Sequence, residues 1–107
     1  ELRPFFLVQA KATRRGYTEK RDRLKAAVKR PVVSALRAYP APTYIVGIGE
    51  PDELAFIIAA VSGGATQFSS IPTTHALASE ATLLRLHEDV LDFWQRNPVT
   101  FRESQFR

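Results

Sequence analysis

The stretch Phe5 to Thr13, FFLVQAKAT, is the part of the sequence from which the rest of the fold is inferred. Its aromatic, aliphatic and small residues predict a β-strand, in which residues two apart share a face. One face carries Leu7, Gln9, Lys11 and Thr13. The other carries Phe6, Val8, Ala10 and Ala12, and this continuously apolar side is expected to pack on the core. Burying an amide and an amine without partners costs about 1–3 kcal/mol each, so the pair indicates either an edge strand or a functional site.

Composition predicts one globular domain spanning residues 1–107, with 45% hydrophobic and 24% charged residues. The chain contains no cysteine, which excludes disulfides and thiolate metal sites and fits a cytoplasmic location. It contains no run of eighteen apolar residues, so no membrane-spanning helix is predicted. Because the sequence lacks methionine altogether, we expect an N-terminal portion to be missing before Glu1.

Positive charge is concentrated in the first third of the chain. From Lys11 to Arg37 ten basic residues stand against two acidic ones, a net of +8. The remainder has five basic and nine acidic residues, a net of −4. Such a basic segment suits a phosphate backbone, and the alternative is a solvated strand and helix face.

The basic segment leads into a predicted helix. Residues 21–28 are expected to form a second short strand, and the alternative is the start of a helix. Pro31 suits the first turn of a helix, and apolar residues at helical spacing continue to Tyr39. Pro40 ends that helix.

Two apolar runs follow, TYIVGI at 43–48 and LAFIIAAV at 54–61. The short turn between them predicts an antiparallel hairpin, and their apolar faces predict a place in the middle of the sheet. Residues 65–74 form a polar connection. Ser79 is the predicted N-cap of a helix that runs to Arg96 and covers one sheet face. Residues 99–107 are expected to form either a short edge strand or a docked extension.

This order of elements predicts an α/β or α+β domain, with a mixed β-sheet flanked by helices. The expected apolar stripe of the last helix consists of Leu83, Leu84, Leu86, Val90, Leu91, Phe93 and Trp94.

Several polar residues are better explained by structure than by chemistry. His87 lies on the apolar stripe of the last helix and is interpreted as a half-buried structural histidine. With His75 as the only other histidine, a zinc site is not indicated. The acidic turn around Asp52 is interpreted as solvated. Gly47 and Gly49 open no helix, so they do not make a dinucleotide or P-loop motif.

Gln9 and Lys11 remain as candidate catalytic residues. A lysine at a strand end orients an attacking water or stabilises the charge that develops in phosphodiester cleavage. An amide oxygen two residues earlier on the same face helps hold a divalent metal ion. The spacing Gln-x-Lys is common by chance, so it needs support from its surroundings.

That support comes from the order of the flanking segments. FFLVQAKAT, the basic segment, the proline-ended helix and the hairpin resemble a family of uncharacterised bacterial domains. Those domains are similar to the PD-(D/E)xK, or restriction-endonuclease-like, superfamily. Gln9 and Lys11 stand where that family has its (E/Q)-x-K strand, and residues 41–46 stand where it has a proline-led strand. The resemblance covers roughly residues 5–61.

The resemblance implies a restriction-endonuclease-like core that hydrolyses DNA with Mg²⁺ in the complete protein, in bacterial defence or DNA processing. Lys11 is then the catalytic lysine, and Gln9 is both a catalytic and a metal-site residue. The implied phosphate-gripping residues are Arg14, Arg15, Lys20, Arg21 and Arg23. The family's essential aspartate lies on a preceding strand, for which the four residues before Phe5 leave no room. The resemblance therefore implies that an upstream strand and helix are absent from residues 1–107. We therefore expect residues 1–107 alone to bind Mg²⁺ weakly and to cleave nothing.

Two alternatives to the nuclease hypothesis follow from the same residues. One is a non-catalytic nucleic-acid-binding module that uses only the basic segment. The other is a homo-oligomerisation module that pairs through an exposed strand edge.

Overall fold

The protein is a small α+β domain built on a mixed three-stranded sheet, as the sequence predicts. A computed structural model describes residues 4–97. The elements are β1 (Leu7–Thr13), β2 (Arg23–Leu24), α1 (Arg30–Arg37), β3 (Thr43–Gly49), β4 (Leu54–Ala59), β5 (Ile71–Pro72) and α2 (Glu80–Arg96). The predicted tail strand or extension at 99–107 lies outside the described residues.

The sheet has the order β1-β3-β4, with β3 in the centre. β3 and β4 form the predicted antiparallel hairpin. β1 pairs with β3 in parallel, which requires the chain to cross over between them, and β2 and α1 lie in that crossover. α1 begins at Arg30, with Pro31 in its first turn, as expected for a residue that has no N–H to donate.

The side chains of β3 alternate between two cores, one on each face of the sheet. Ile45 is fully buried on the first face, where Leu24, Val33 and Ile71 surround it. Tyr44, Val46 and Ile57 lie on the second face and pack against Val90 of α2. This double burial explains why β3 is apolar along its whole length.

A second, two-stranded sheet of β2 and β5 covers the first face. Its side chains Leu24 and Ile71 lie directly over Gly47 of β3. The predicted short strand over 21–28 is therefore present as β2. Its partner β5 lies within 65–74, which the sequence predicted to be an irregular connection. A strand of two residues is too short to show an alternating pattern in the sequence. β5 therefore forms because it pairs with β2 in the folded structure.

α2 covers the second face, as predicted, and Ser79 is its N-cap. The Ser79 side chain makes no capping hydrogen bond, so the position was correct and the expected contact is absent. The buried line of the helix runs through Thr82, Leu86 and Val90, four residues apart. Leu83 and Leu84 are 51% and 58% exposed, so the predicted apolar stripe is too broad.

His87 is exposed, and its interpretation as a half-buried residue is wrong. It follows Leu86 by one residue, and a rotation of about 100° carries it off the buried line of the helix.

β4 is the other correction, because it lies at an edge of the sheet and not in the middle. Its outer edge is nevertheless covered by the segment at 75–77. The Ile57 N–H donates to the His75 carbonyl at 3.0 Å, and the Leu77 N–H donates to the Ala55 carbonyl at 2.9 Å. No helix in residues 4–97 has both the length and the apolar character needed to cross a membrane.

Candidate functional site

Gln9 and Lys11 project from the same face of β1, as the strand pattern predicts. In the parallel register Gln9 lies beside Ile45, and Lys11 lies beside Gly47. Both side chains are exposed, because β1 is at the edge of the sheet. The lysine therefore needs no buried partner, and the expected energetic cost of the pair is not incurred.

The two side chains line one hollow of about 640 Å³. We call it the basic hollow, because five of its lining residues are cationic: Lys11, Arg14, Arg15, Lys25 and Lys29. Val28 and Val32 contribute apolar surface to its wall. The hollow thus lies between β1, the chain after β2 and the first turn of α1.

Hydrogen bonds at the end of β1 hold this arrangement. The buried Thr13 hydroxyl donates to the Lys25 carbonyl at 3.0 Å and accepts the Arg15 N–H at 3.1 Å. The Lys25 N–H in turn donates to the carbonyl of Gly16 at 2.8 Å. Gly16 has φ of +77°, a backbone conformation that favours glycine in such a turn.

The opposite wall is anchored to the loop before β5. Val28 and Phe68 exchange two backbone hydrogen bonds, of 2.7 and 2.9 Å. The backbone that carries Lys25 and Lys29 is therefore bonded at both ends. The main chain that presents their ammonium groups is therefore held in place by hydrogen bonds.

Among residues 4–97, the lining of the basic hollow includes no carboxylate. Arg14 is ion-paired with Glu50, with 2.6 Å between Nε and Oε2. Within residues 4–97 the other four cations have no ion pair. Several uncompensated positive charges around one concave surface produce a positive potential that attracts anions.

Three of the predicted phosphate-binding residues lie outside the lining of the hollow. Arg23 is half-buried and donates from its guanidinium to the Ser70 hydroxyl and to the Ser70 carbonyl, the latter at 3.0 Å. The guanidinium carbon of Arg21 lies 4.5 Å from the ring centroid of Tyr17. Lys20 is exposed in the turn between β1 and β2. Arg23 thus has a structural role in joining β2 to the segment before β5.

Lys25 and Lys29 are the residues that sequence reasoning missed. They were counted in the basic segment but were not assigned to the site. The available signal was the position of Lys29 two residues before Pro31, since it predicts that Lys29 lies at the start of the helix. Only the fold shows that the chain returns past β1 at this point.

The donor set of the basic hollow does not fit a magnesium ion. Mg²⁺ prefers carboxylate oxygens and water, and here the only side-chain amide oxygen is that of Gln9. No group of three or more His, Cys, Asp or Glu that could hold a metal ion occurs in the described part of the chain. Five cations around the site add electrostatic repulsion toward any further cation.

The acidic turn is bonded to the start of the basic segment. The Tyr17 hydroxyl donates to the Asp52 carboxylate at 2.6 Å. That hydrogen bond, together with the Leu54 N–H, lowers the pKa of Asp52 below its usual value. Burial, followed by the contact with Asp52, raises the pKa of Tyr17. Asp52 and Glu50 therefore act as structural partners of the basic segment.

A second cavity of about 830 Å³ lies between the sheet and α2. Tyr44 lines it and donates its hydroxyl to Asp89, and burial is the main cause of the raised pKa of Tyr44. His75, Arg85 and Asp92 also line this cavity, which has mixed charge. Glu88 and Asp89 line it as well, and within the described residues none of these carboxylates belongs to a group that could hold a metal ion.

Comparisons with known proteins found no match to a protein-family model, to a curated protein or to a solved structure. The structure therefore defines the class of the protein as a small α+β domain with a mixed sheet and a basic hollow at one sheet edge.

Proposed function

We propose that this chain binds nucleic acid, with the basic hollow as its phosphate-binding surface. The single observation that carries the proposal is the lining of that hollow. It combines five cationic side chains and the Gln9 amide with no carboxylate. Phosphate contacts made by lysine and arginine supply most of the affinity in non-specific binding to nucleic acid.

The geometry supports a backbone-binding surface more than a base-reading one. The cations are distributed over β1, the turn after it and the segment before α1, so they can contact more than one phosphate. Lysine and arginine on a polyanion release condensed counterions, which makes binding strongly salt-dependent. DNA is the first ligand to test, and single-stranded RNA of the same length provides the comparison.

The test is fluorescence anisotropy with a labelled DNA duplex over a range of salt concentrations. We expect wild-type affinity to fall steeply as salt rises, with a logarithmic slope of about −0.9 for each phosphate neutralised. Lys29→Gln and Lys25→Gln should each weaken binding about 3- to 10-fold, or about 0.6–1.4 kcal/mol. Each should also reduce the slope by about one contact.

Arg85→Gln is the matched control, because it removes one exposed positive charge from α2, on the other face of the sheet. It should leave affinity nearly unchanged. Equal losses for Arg85→Gln and Lys29→Gln would show that net charge alone binds DNA, and would reject the basic hollow as the site.

Metal-dependent phosphodiester hydrolysis is the second candidate function, and the shared orientation of Gln9 and Lys11 favours it. Lys11 would then stabilise the developing charge on the phosphate. Since the described residues offer no carboxylate at the hollow, hydrolysis requires acidic ligands from outside residues 4–97.

The test of this second candidate is incubation of plasmid DNA with Mg²⁺ or Mn²⁺ and the 107-residue chain. Cleavage that Lys11→Ala abolishes would establish hydrolysis, and Arg85→Gln is again the control. Intact DNA at every metal concentration would show that residues 1–107 do not hydrolyse DNA by themselves.

A further inference from the structure

The outer edge of β1 has backbone groups that are not used within the described residues. The Leu7 N–H donates to the Pro42 carbonyl at 3.0 Å, and the Thr13 carbonyl accepts the Glu50 N–H at 2.9 Å. In a parallel ladder the N–H and C=O of alternate residues point to the same side, so residues 7, 9, 11 and 13 face β3. Val8, Ala10 and Ala12 therefore direct their N–H and C=O groups outward. Within residues 4–97 the only hydrogen bond to these groups is a weak one of 3.5 Å, which the Gln9 side-chain amide donates to the Ala10 carbonyl.

The side chains of these outward-bonding residues form an exposed apolar face. Val8 is 44% exposed, Phe6 is 40% exposed, and Ala10 and Ala12 are exposed as well. The expectation that this face packs on the core is therefore wrong for Val8, Ala10 and Ala12, because α2 packs on β3 and β4. Phe6 does contact the core, with its ring edge-on to that of Tyr44 at 5.7 Å between centroids. An unpaired edge with an apolar face is a template for pairing with another strand.

We propose that β1 pairs antiparallel with β1 of a second copy of this chain, centred on Ala10, and that bound nucleic acid stabilises the pair. The second part rests on the proposed function. The resulting sheet would have six strands, three from each copy.

The register follows from the sequence of β1. With Ala10 opposite Ala10, Val8 of one copy faces Ala12 of the other, and all the outward groups of these residues form about six hydrogen bonds. Lys11 of each copy then lies opposite Gln9 of the other, which is a favourable polar pair. A shift that centred the pairing on Lys11 would place the two lysines directly opposite each other, which is destabilising.

Symmetry places both basic hollows on one side of the extended sheet. The two-fold axis of such a pair is perpendicular to the sheet, so each copy keeps its hollow on the same face. The two Lys11 residues become diagonal neighbours, about 7–8 Å apart. The two positively charged hollows repel each other, and a polyanion that spans both of them is attracted to each.

The small area of the β1–β1 contact explains why pairing of the two copies depends on bound nucleic acid. One seven-residue strand edge is much smaller than the roughly 800 Å² per partner of a stable interface. With repulsion added, the protein alone should be monomeric at low salt. Either a nucleic acid or screening of the charges should allow the pair to form.

The experiment is sedimentation velocity of the protein alone and with a short labelled DNA duplex. Ala10→Lys and Ala10→Glu each place like charges opposite each other at the two-fold axis, on a side chain that is exposed in the monomer. We expect a 2:1 complex for wild type and a 1:1 complex for each variant. An equimolar mixture of the two variants should restore the 2:1 complex, because Lys then faces Glu.

Ala10→Pro provides an independent variant. It removes an N–H that points away from β3, so the internal ladder is unaffected and an edge strand tolerates it. It should bind DNA at 1:1. A 2:1 complex with Ala10→Pro, a 1:1 complex with wild type, or a mixture that stays at 1:1 would each overturn the strand pairing.

If the protein does not bind nucleic acid, a different measurement tests the strand pairing. If wild type binds no DNA, sedimentation in about 1 M salt decides the pairing, because the Debye length there is about 3 Å and repulsion is screened. A dimer that Ala10→Pro converts to a monomer supports the pairing through β1. A wild-type monomer under those conditions overturns it.

Discussion

At the scale of single residues, packing around Gly47 explains why glycine is favoured at this position. The sequence placed it at the end of an apolar strand and excluded a nucleotide-binding motif, without a reason for glycine itself. In the structure a Cβ at this position would lie 3.1 Å from Leu24 Cδ2 and 3.1 Å from Ile71 Cγ1. The close approach of the small β2–β5 sheet therefore favours glycine here.

Gly47→Ala should destabilise the protein by about 1–3 kcal/mol, because the added methyl group overpacks this contact. Urea denaturation followed by circular dichroism measures the change. Gly64→Ala is the matched control, since no atom lies within 4 Å of the Cβ position there. Equal stability of the two variants would show that the layer adjusts without cost.

The Tyr17–Asp52 hydrogen bond leads to a prediction about pH. Tyr17→Phe removes the main cause of the lowered pKa of Asp52, so that pKa should rise toward its ordinary value of 3.8. The stabilisation from this bond is complete above pH 3.8 and is lost as pH falls through the lower folded-state pKa. NMR titration of the Asp52 carboxyl measures the shift. Tyr39→Phe, at an exposed tyrosine, should leave that pKa unchanged, and an equal effect of both variants would contradict the assignment.

At the scale of elements, β1 was identified correctly as a strand, but its surroundings were not. The period of two indicates which side chains share a face, and Gln9 and Lys11 do share one. The same pattern cannot indicate whether a face is covered, because coverage depends on where α2 lies. The edge position and the exposed apolar face of β1 are therefore properties of the assembled sheet.

α2 is joined to β3 by the hydrogen bond from Tyr44 to Asp89. Tyr44→Phe should reduce stability by about 1 kcal/mol at neutral pH, a typical net value for one hydrogen bond. Because the folded state raises the pKa of Tyr44, this stabilisation is complete below pH 10.0 and declines as pH rises further.

Urea denaturation at several pH values checks both parts of this prediction. Tyr39→Phe is the control, since Tyr39 is 52% exposed. A difference between wild type and Tyr44→Phe that stays constant above pH 10.0 would contradict the role of the buried hydroxyl.

At the scale of the whole molecule, basic and acidic segments of the chain lie on opposite faces of the sheet. Five of the ten cations between Lys11 and Arg37 line the basic hollow on one face of the sheet, while α2, with its acidic residues, covers the other. A polyanion that approaches the hollow is therefore attracted to one side of the protein. This separation supports binding of phosphate more than binding of metal.

Metal removal tests that conclusion for the whole chain. At constant ionic strength, EDTA should leave DNA affinity unchanged, and added Mg²⁺ should not tighten binding, because no carboxylate lines the hollow. Mg²⁺ should weaken binding slightly through competition for the phosphates. Anisotropy titrations with and without EDTA provide the measurement. Tighter binding in Mg²⁺ would indicate a metal site and would favour the nuclease hypothesis.

The sequence by itself determined the local elements and the identity of the charged groups. Apolar runs and prolines predicted β1, the hairpin of β3 and β4, and both helices, because strand and helix periods are local properties. Only the tertiary structure decided that β1 lies parallel to β3 at an edge of the sheet, and that Lys25 and Lys29 return to face Gln9 and Lys11. Those relations join residues far apart in the chain. They depend on which faces exclude water together, and no local pattern encodes that choice.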